Sequence, residues 1–220
     1  IMRNKEENMK TKKFTTSQLT ILGLMAGILF LMAYTPLGYL NIGPLAVTFN
    51  VIPVAVCAIV LGPTGGAIAG AVFGLTSFMQ AIGIGGVSAL GSALFQINPF
   101  MTAVQCFGPR ILDGICIGFI YRAVHKKANT YVSCAVTGFF SAFLNTLFFM
   151  TALIVMFGNT ELIRNLMGGH NIIVGCCLMV GVNAISEMVS STIITAAVGT
   201  ALSKAHLIPA VQIVKTDTAA

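Results

Sequence analysis

A single uncharged stretch constrains what this chain can fold into. From Phe14 to Pro109 the sequence contains no Lys, Arg, Asp or Glu, so 96 consecutive residues lack a formal charge. Charged residues make up only 8% of the whole chain, whereas a soluble domain carries about 25%. Because a surface in contact with water needs more charge than this, the sequence predicts an integral membrane protein.

Six apolar segments divide the chain, separated by breaks rich in proline and glycine. They lie at 17–34, 46–61, 67–82, 101–123, 131–157 and 172–202. Since a membrane-spanning helix needs about 20 apolar residues, we predict an all-α integral membrane protein with six transmembrane helices over 17–203. A basic segment at 1–16 precedes them and a tail at 204–220 follows. We expect the 83–99 connection to be a long loop against the protein, with one or two helical turns.

The basic residues predict the orientation of these spans. The positive charge that gives the chain its net charge of +6 falls mainly before the first span, in the 122–127 loop and after the last span. Basic residues near the ends of spans favour the cytoplasmic side. Both termini are therefore predicted to be cytoplasmic, as an even number of spans requires. This distribution indicates membrane topology rather than nucleic-acid binding.

Motifs of catalysis and metal binding are missing from the sequence. It contains no HExxH, GxSxG or Walker A pattern, which disfavours a membrane enzyme. The six cysteines all lie in apolar segments without the spacing of metal ligands, so we interpret them as small packing residues that stay reduced. No metal site and no cofactor are predicted in this chain.

Charge returns in the segment "CFGPRILDGICIGF", residues 106–119. Pro109 is expected to open the regular part of the fourth span, since proline suits the first helical position. Arg110 and Asp113, three residues apart, share a helix face. A charge at membrane depth usually faces a partner or a cavity. Either the two residues pair with each other, or Arg110 binds a ligand anion through its fork of donors while Asp113 orients it.

Further polar residues within the spans are candidates for ligand binding. Asn183 and Glu187 lie one turn apart in the last span, and Asn145 lies in the middle of the fifth. Each either binds a ligand or joins two helices by a hydrogen bond. Asn50, at the start of the second span, can cap, pack or bind. The predicted external loops add Gln96, Asn98, His170 and Asn171.

A small-residue motif lies in the first span. Gly23 and Gly27 form a GxxxG pattern beside Ala26. Such residues let another helix approach closely, either within this chain or from a partner.

Two longer segments carry a resemblance to a known family. "IGPLAVTFNVIPVAVCAIVLGPTGGAIAGAVFGLTSF" and "GPRILDGICIGFIYR" resemble the substrate-binding S components of energy-coupling factor (ECF) vitamin transporters. The resemblance extends from about residue 18 to residue 203 and looks most like the pantothenate type. It implies the six-helix S-component fold and a high-affinity vitamin pocket near the outer face. Spans four to six would wall that pocket, and the 35–45, 83–99 and 158–171 loops would cover it.

The resemblance also implies partners. An S component associates with a transmembrane coupling protein and two ABC-type ATPases, which use ATP, and it topples in the membrane to deliver the vitamin. The positions that match the family's contact with the coupling protein are Gly23, Ala26 and Gly27, where alanines are more usual than glycines.

The ligand type leaves alternatives open. Pantothenate has a carboxylate, two hydroxyls and an amide, and Arg110 together with the asparagine and glutamine candidates supplies matching groups. Cobalamin, folate and pyridoxine components share the scaffold. A flat vitamin would need stacking aromatics; the chain has no Trp and four Tyr, although several phenylalanines keep this possible: Phe78, Phe95, Phe100 and Phe107. A non-transport membrane scaffold is the alternative of a different class.

Overall fold

The computed structural model describes residues 15–35, 39–41, 46–85, 88–166, 168 and 172–208. The helices are α1 (Thr16–Ala33), α2 (Val51–Ala81), α3 (Ala89–Ile97), α4 (Pro99–His125), α5 (Thr130–Phe157), α6 (Glu161–Leu166) and α7 (Ile172–Lys204), and a hairpin of β1 (Tyr39–Asn41) and β2 (Ala46–Thr48) lies between α1 and α2. Most of the predicted basic segment and of the predicted tail lies outside the described residues.

Long apolar helices dominate this architecture. In the described part of the chain, α1, α2, α4, α5 and the Asn183–Lys204 part of α7 are long and apolar enough to cross a bilayer. The all-helical membrane class predicted from the sequence is therefore confirmed, and five such helices are present where six were predicted. The difference arises in α2, which contains both the second and the third predicted span.

A sharp bend at Gly62 divides α2 into two arms. Gly62 has φ 72° and ψ −163°, a conformation that only glycine adopts readily. A Cβ placed on Gly66 would lie 3.0 Å from the Ala58 Cβ, although eight residues of straight helix span about 12 Å. The two arms therefore fold back against each other. The first arm begins at Val51 rather than at 46, because residues 46–48 form β2.

The second arm of α2 packs against α4 along a line of glycines. This glycine seam consists of Gly66, Gly70 and Gly74 on α2 and Gly114 and Gly118 on α4. A Cβ on Gly66 would collide with the Gly114 carbonyl, and a Cβ on Gly70 would collide with the carbonyl of Arg110. The two backbones thus approach each other more closely than residues with side chains permit.

Helix α4 is continuous through Pro109. It begins at Pro99, and the Asn98 side chain caps it by accepting the Met101 N–H at 3.1 Å. The prediction that the helix becomes regular only after Pro109 is therefore wrong: Pro99, not Pro109, occupies the first helical position. Pro109 is tolerated inside the helix because the Gln105 carbonyl, which loses its usual backbone donor, accepts a hydrogen bond from the Arg110 side chain instead.

The two ends of the helix bundle differ. Ile21, Val60 and Leu61 share an apolar cluster with Leu202, and the Arg122 guanidinium lies against Gly62. The start of α1, the bend of α2 and the ends of α4 and α7 therefore meet at one end, which we call the basic end.

The opposite end of the bundle holds the irregular elements. The Gln80 side chain donates to the Ala33 carbonyl at 2.7 Å, which joins the end of α1 to that of α2. Leu94 of α3 packs with Phe157 and with Ile163 of α6. Helix α3 agrees with the expected helical turns in the 83–99 connection, whereas α6 lies in a segment that was predicted to be a loop.

Candidate ligand-binding site

Arg110 is held by the backbone of its own helix. Its side chain is buried and extends toward the start of α4, the direction that helical side chains favour. Nη1 donates to the carbonyls of Gln105 and Cys106, both at 3.1 Å. The Gln105 carbonyl is the acceptor that the N–H of residue 109 would normally use, and Pro109 has none. The guanidinium therefore supplies the donor that the helix lacks at this point.

Two aromatic rings lie against the guanidinium. Its Cζ is 4.8 Å from the ring centroid of Phe73 on α2 and 5.3 Å from that of Phe149 on α5. Both distances are within the range of cation–π attraction, which is stronger where water is excluded. Neither residue was predicted for this site, because nothing in the sequence distinguishes them among the 15 phenylalanines of the chain.

Asp113 lies one turn beyond Arg110 and is buried. Its carboxyl lies within electrostatic range of Arg110 and near Ser141, whose hydroxyl donates to the Val51 carbonyl. Asp113 Oδ1 and Arg110 Nε nevertheless both lack a hydrogen-bond partner. The carbonyls of Gln105 and Cys106 accept the hydrogen bonds from Arg110 Nη1, and the orienting role of Asp113 stays a prediction.

Glu187 joins α7 to the β-hairpin. Its Oε1 accepts the Thr48 N–H at 2.6 Å, and the carboxyl also interacts electrostatically with Arg110. The Thr48 hydroxyl in turn accepts the Asn50 N–H at 3.3 Å. Glu187 therefore bonds to the end of β2 and lies within electrostatic range of the guanidinium.

Asn50 is completely buried and its side-chain amide is unpaired. Neither Oδ1 nor Nδ2 has a hydrogen-bond partner, and the side chain does not cap α2. The carbonyl of the next residue, Val51, accepts the Ser141 hydroxyl at 3.2 Å, which places Asn50 near the face of α5 that carries Ser141. A buried amide without partners is rare in proteins and commonly indicates a place for a ligand or water.

The remaining polar candidates of the spans lie on the same faces. Asn145 is buried one turn from Ser141 and one turn from Phe149 on α5. Asn183 is buried one turn before Glu187 on α7. Gln105, which the sequence analysis did not single out, donates to the Phe149 carbonyl at 2.9 Å and leaves its Oε1 unpaired. Its position, five residues before Arg110 in an apolar segment, could have indicated that Gln105 lies near the Arg110 side chain.

We define the Arg110 site as the residues that contact the guanidinium, the polar residues within about one helical turn of a residue that interacts with Arg110 or Asp113, and the amide next to the acceptor of the Ser141 hydroxyl: Asn50, Phe73, Gln105, Arg110, Asp113, Asn145, Phe149, Asn183 and Glu187. It lies deep in the helix bundle. Arg110 is 11 residues from the start of α4, or about 16 Å along the helix. The first arm of α2 is only 11 residues long, or about 16 Å. Asn50, which precedes this arm, therefore lies about 16 Å from the bend at Gly62, also at mid-depth.

Of the four loop candidates, the structure describes two, and neither belongs to the Arg110 site. Gln96 is exposed on α3, and the Asn98 side chain is occupied in capping α4. His170 and Asn171 lie outside the described residues. Within the described part of the chain, no group of three His, Cys, Asp or Glu residues is placed to hold a metal ion.

The chain is similar to transport proteins. A family model described as the substrate-specific component of ECF transporters matches residues 17–199. The "Pantothenate transporter PanT" of Leuconostoc mesenteroides is 33% identical over 204 residues, which cover 89% of this chain and 94% of that protein. The "Pantothenic acid transporter PanT" of Lactococcus lactis is 28% identical over 208 residues, 89% of this chain and 98% of that protein. Together with its apolar helices, these similarities make the chain a multi-pass bacterial membrane protein.

Proposed function

Since the chain belongs to the family of substrate-specific components of ECF transporters, we propose that it binds pantothenate in the Arg110 site for import into the cell. The observation that carries this proposal is the set of buried, unpaired polar atoms in that site. Asn50, Gln105, Arg110 and Asp113 each leave at least one such atom without a partner. Burying unpaired polar groups is unfavourable, so a ligand that pairs with them gains affinity.

Arg110 is the group that selects for a carboxylate. Its Nη1 is occupied by two backbone carbonyls, whereas Nε has no partner. A charge-assisted hydrogen bond from the guanidinium to a carboxylate is about twice as strong as a neutral one. The rings of Phe73 and Phe149 lie against the cation and exclude water, which strengthens that bond further.

The neutral part of pantothenate suits the other side chains. Its hydroxyls can donate to the free Oδ1 of Asp113 and to Glu187, and its amide can pair with Asn50 or Gln105. Asn145 and Asn183 extend the same polar lining. Gln96, Asn98, His170 and Asn171 stay predictions as residues that cover the bound vitamin.

The membrane topology that we propose rests on the two arms of α2. We count them as two spans, which makes six in total and places both termini in the cytoplasm. The fold-back at Gly62 supports this count, as does the meeting of the start of α1 and the end of α7 at the basic end. The Lys and Arg residues near that end agree with a cytoplasmic side.

The partners of this chain are a transmembrane coupling protein and two ABC-type ATPases, which hydrolyse the ATP. The chain itself needs no cofactor, and it topples in the membrane to release the vitamin inside. Gly23 and Gly27 support a docking role for α1, because both are exposed and a Cβ on either would meet no atom within 4 Å. Ala26, on the same helix, is partly buried.

Calorimetric titration of the detergent-purified protein tests this function. After bound ligand is removed, pantothenate should bind more tightly than cobalamin, folate, riboflavin or pyridoxine. Arg110→Ala should weaken pantothenate binding at least about tenfold, or 1.4 kcal/mol. Arg110→Lys, which keeps the charge without the fork, should bind with intermediate affinity. Unchanged affinity in Arg110→Ala would show that the guanidinium has only a structural role.

A further inference from the structure

Pro109 and Arg110 are adjacent residues with complementary hydrogen-bonding properties. In a regular helix the N–H of residue 109 donates to the carbonyl of residue 105. Pro109 lacks that N–H, and the Gln105 carbonyl instead accepts from Arg110 Nη1 at 3.1 Å. The donor missing from one residue is thus replaced by the side chain of the next.

We propose that Pro109 is a positioning residue for the ligand carboxylate, because it leaves a backbone carbonyl free to hold the Arg110 guanidinium in its binding orientation. The role in ligand binding rests on the proposed function. The role in holding the side chain depends only on the contacts within α4.

The geometry explains why this arrangement fixes the guanidinium. One nitrogen, Nη1, bonds to two successive carbonyls, those of Gln105 and Cys106. The Cys106 carbonyl retains its normal donor, the N–H of Arg110 itself, whereas the Gln105 carbonyl has lost its own. An added N–H at position 109 would compete with Nη1 for the Gln105 carbonyl. The fork would then rotate, and the unpaired Nε would no longer have a fixed direction.

Binding to two ligands tests the positioning role. Pro109→Ala restores the N–H and uses the strongest helix former. We expect it to weaken pantothenate binding about fivefold to tenfold, within the range of one ordinary hydrogen bond. Binding of pantothenyl alcohol, in which a hydroxyl replaces the carboxylate, should change less than about twofold. In an Arg110→Ala background the same substitution should have no effect on pantothenate affinity. An equal loss for both ligands, or a loss that adds to that of Arg110→Ala, would overturn the proposal.

Pro99→Ala is the matched control on the same helix. Pro99 occupies the first helical position, where an N–H has no partner in the helix and a new one competes with nothing. This variant should bind both ligands like the wild type.

Thermal unfolding tests this contact without any ligand. It compares the wild type, Pro109→Ala, Arg110→Ala and the variant that carries both substitutions. Arg110→Ala leaves the Gln105 carbonyl without a donor and should lower the unfolding midpoint. Adding Pro109→Ala should then raise the midpoint more than the same substitution does in the wild type, because only in the Arg110→Ala background is the carbonyl unpaired. Additive shifts would show that the two residues do not share this carbonyl. If the wild type does not bind pantothenate, the proposed function fails, while this cycle still decides whether Pro109 positions Arg110.

Discussion

The two sides of α4 differ in packing and in hydrogen bonding. On the side that faces α2, the glycine seam brings two backbones into contact and leaves no free space. On the side that faces α5, the Arg110 site keeps several polar atoms unpaired. Arg110 belongs to both sides, since its carbonyl contacts Gly70 while its guanidinium lies in the site.

The glycine seam and the Arg110 site therefore have separate roles, the first in stability and the second in binding. Membrane helices associate through close packing, because lipid provides no hydrophobic driving force between them. The seam therefore contributes stability, whereas unpaired polar atoms reduce it until a ligand pairs with them. A rigid seam next to the site also holds Arg110 at a fixed place on the scaffold, as a preorganised site requires.

The largest effect is expected where the seam is broken. In Gly114→Ala the new methyl group collides with the Gly66 carbonyl, so we expect a loss of about 2 to 3 kcal/mol in the free energy of unfolding. Gly108→Ala is the control on the same helix, because a Cβ there meets nothing within 4 Å. It should be neutral or slightly stabilising. Thermal unfolding in detergent measures both, and equal midpoints would refute close packing at the seam.

A smaller effect is expected from the bond between Glu187 and the hairpin. Glu187→Ala removes the acceptor of the Thr48 N–H, whereas Glu187→Gln keeps a carbonyl oxygen that accepts it. Both remove the charge, so their difference isolates the hydrogen bond. We expect pantothenate to dissociate about fivefold faster from Glu187→Ala than from Glu187→Gln, the effect of one hydrogen bond.

Hydrogen exchange at residues 46–48 provides the structural readout for this pair. Exchange should be faster in Glu187→Ala than in Glu187→Gln, because the Thr48 N–H then has no acceptor. Identical exchange in the two variants would mean that this hydrogen bond does not hold β2.

The aromatic contacts should contribute less. Phe149→Leu keeps an apolar side chain but loses the ring that lies 5.3 Å from the Arg110 Cζ. One ring at this distance contributes about 0.5 to 1 kcal/mol, so pantothenate affinity should fall by about twofold to fivefold. Phe139→Leu changes an exposed ring on the same helix and should leave the affinity unchanged. Equal affinities of the two variants would exclude a role for the ring.

The smallest effect on the isolated chain is expected at the surface of α1. Gly27→Leu adds a side chain to an exposed position with open space, so folding and vitamin binding should persist. Co-purification with the coupling protein and uptake into cells should be lost if α1 docks there. Normal uptake would place the contact on another surface.

Much of the architecture was predictable from local features of the sequence. The uncharged run from Phe14 to Pro109 and the long apolar segments predicted the membrane class and the positions of α1, α4, α5 and α7. The breaks at 62–66 and 83–99 were also recognisable from their glycines. The short first arm of α2 was not, because an apolar strand and an apolar helix have similar composition over a few residues.

The candidate site was predictable only in part. Arg110, Asp113 and Glu187 stand out because a charge inside an apolar segment is unfavourable unless it has a partner. The partners of these residues could not be predicted in the same way. The acceptors of the Arg110 side chain are backbone carbonyls, which every residue has and which therefore leave no mark in the sequence.

Hydropathy and charge are properties of each segment alone, so the amino-acid sequence was enough to predict that this chain lies in a membrane and that a few polar residues are buried there. Which of those residues meet depends on the tertiary structure. Thr48 and Glu187 are 139 positions apart, and Phe73 and Phe149 reach the same guanidinium from different helices. Such contacts depend on how helices bend and pack, which in this protein is set by the turn at Gly62 and the glycine seam.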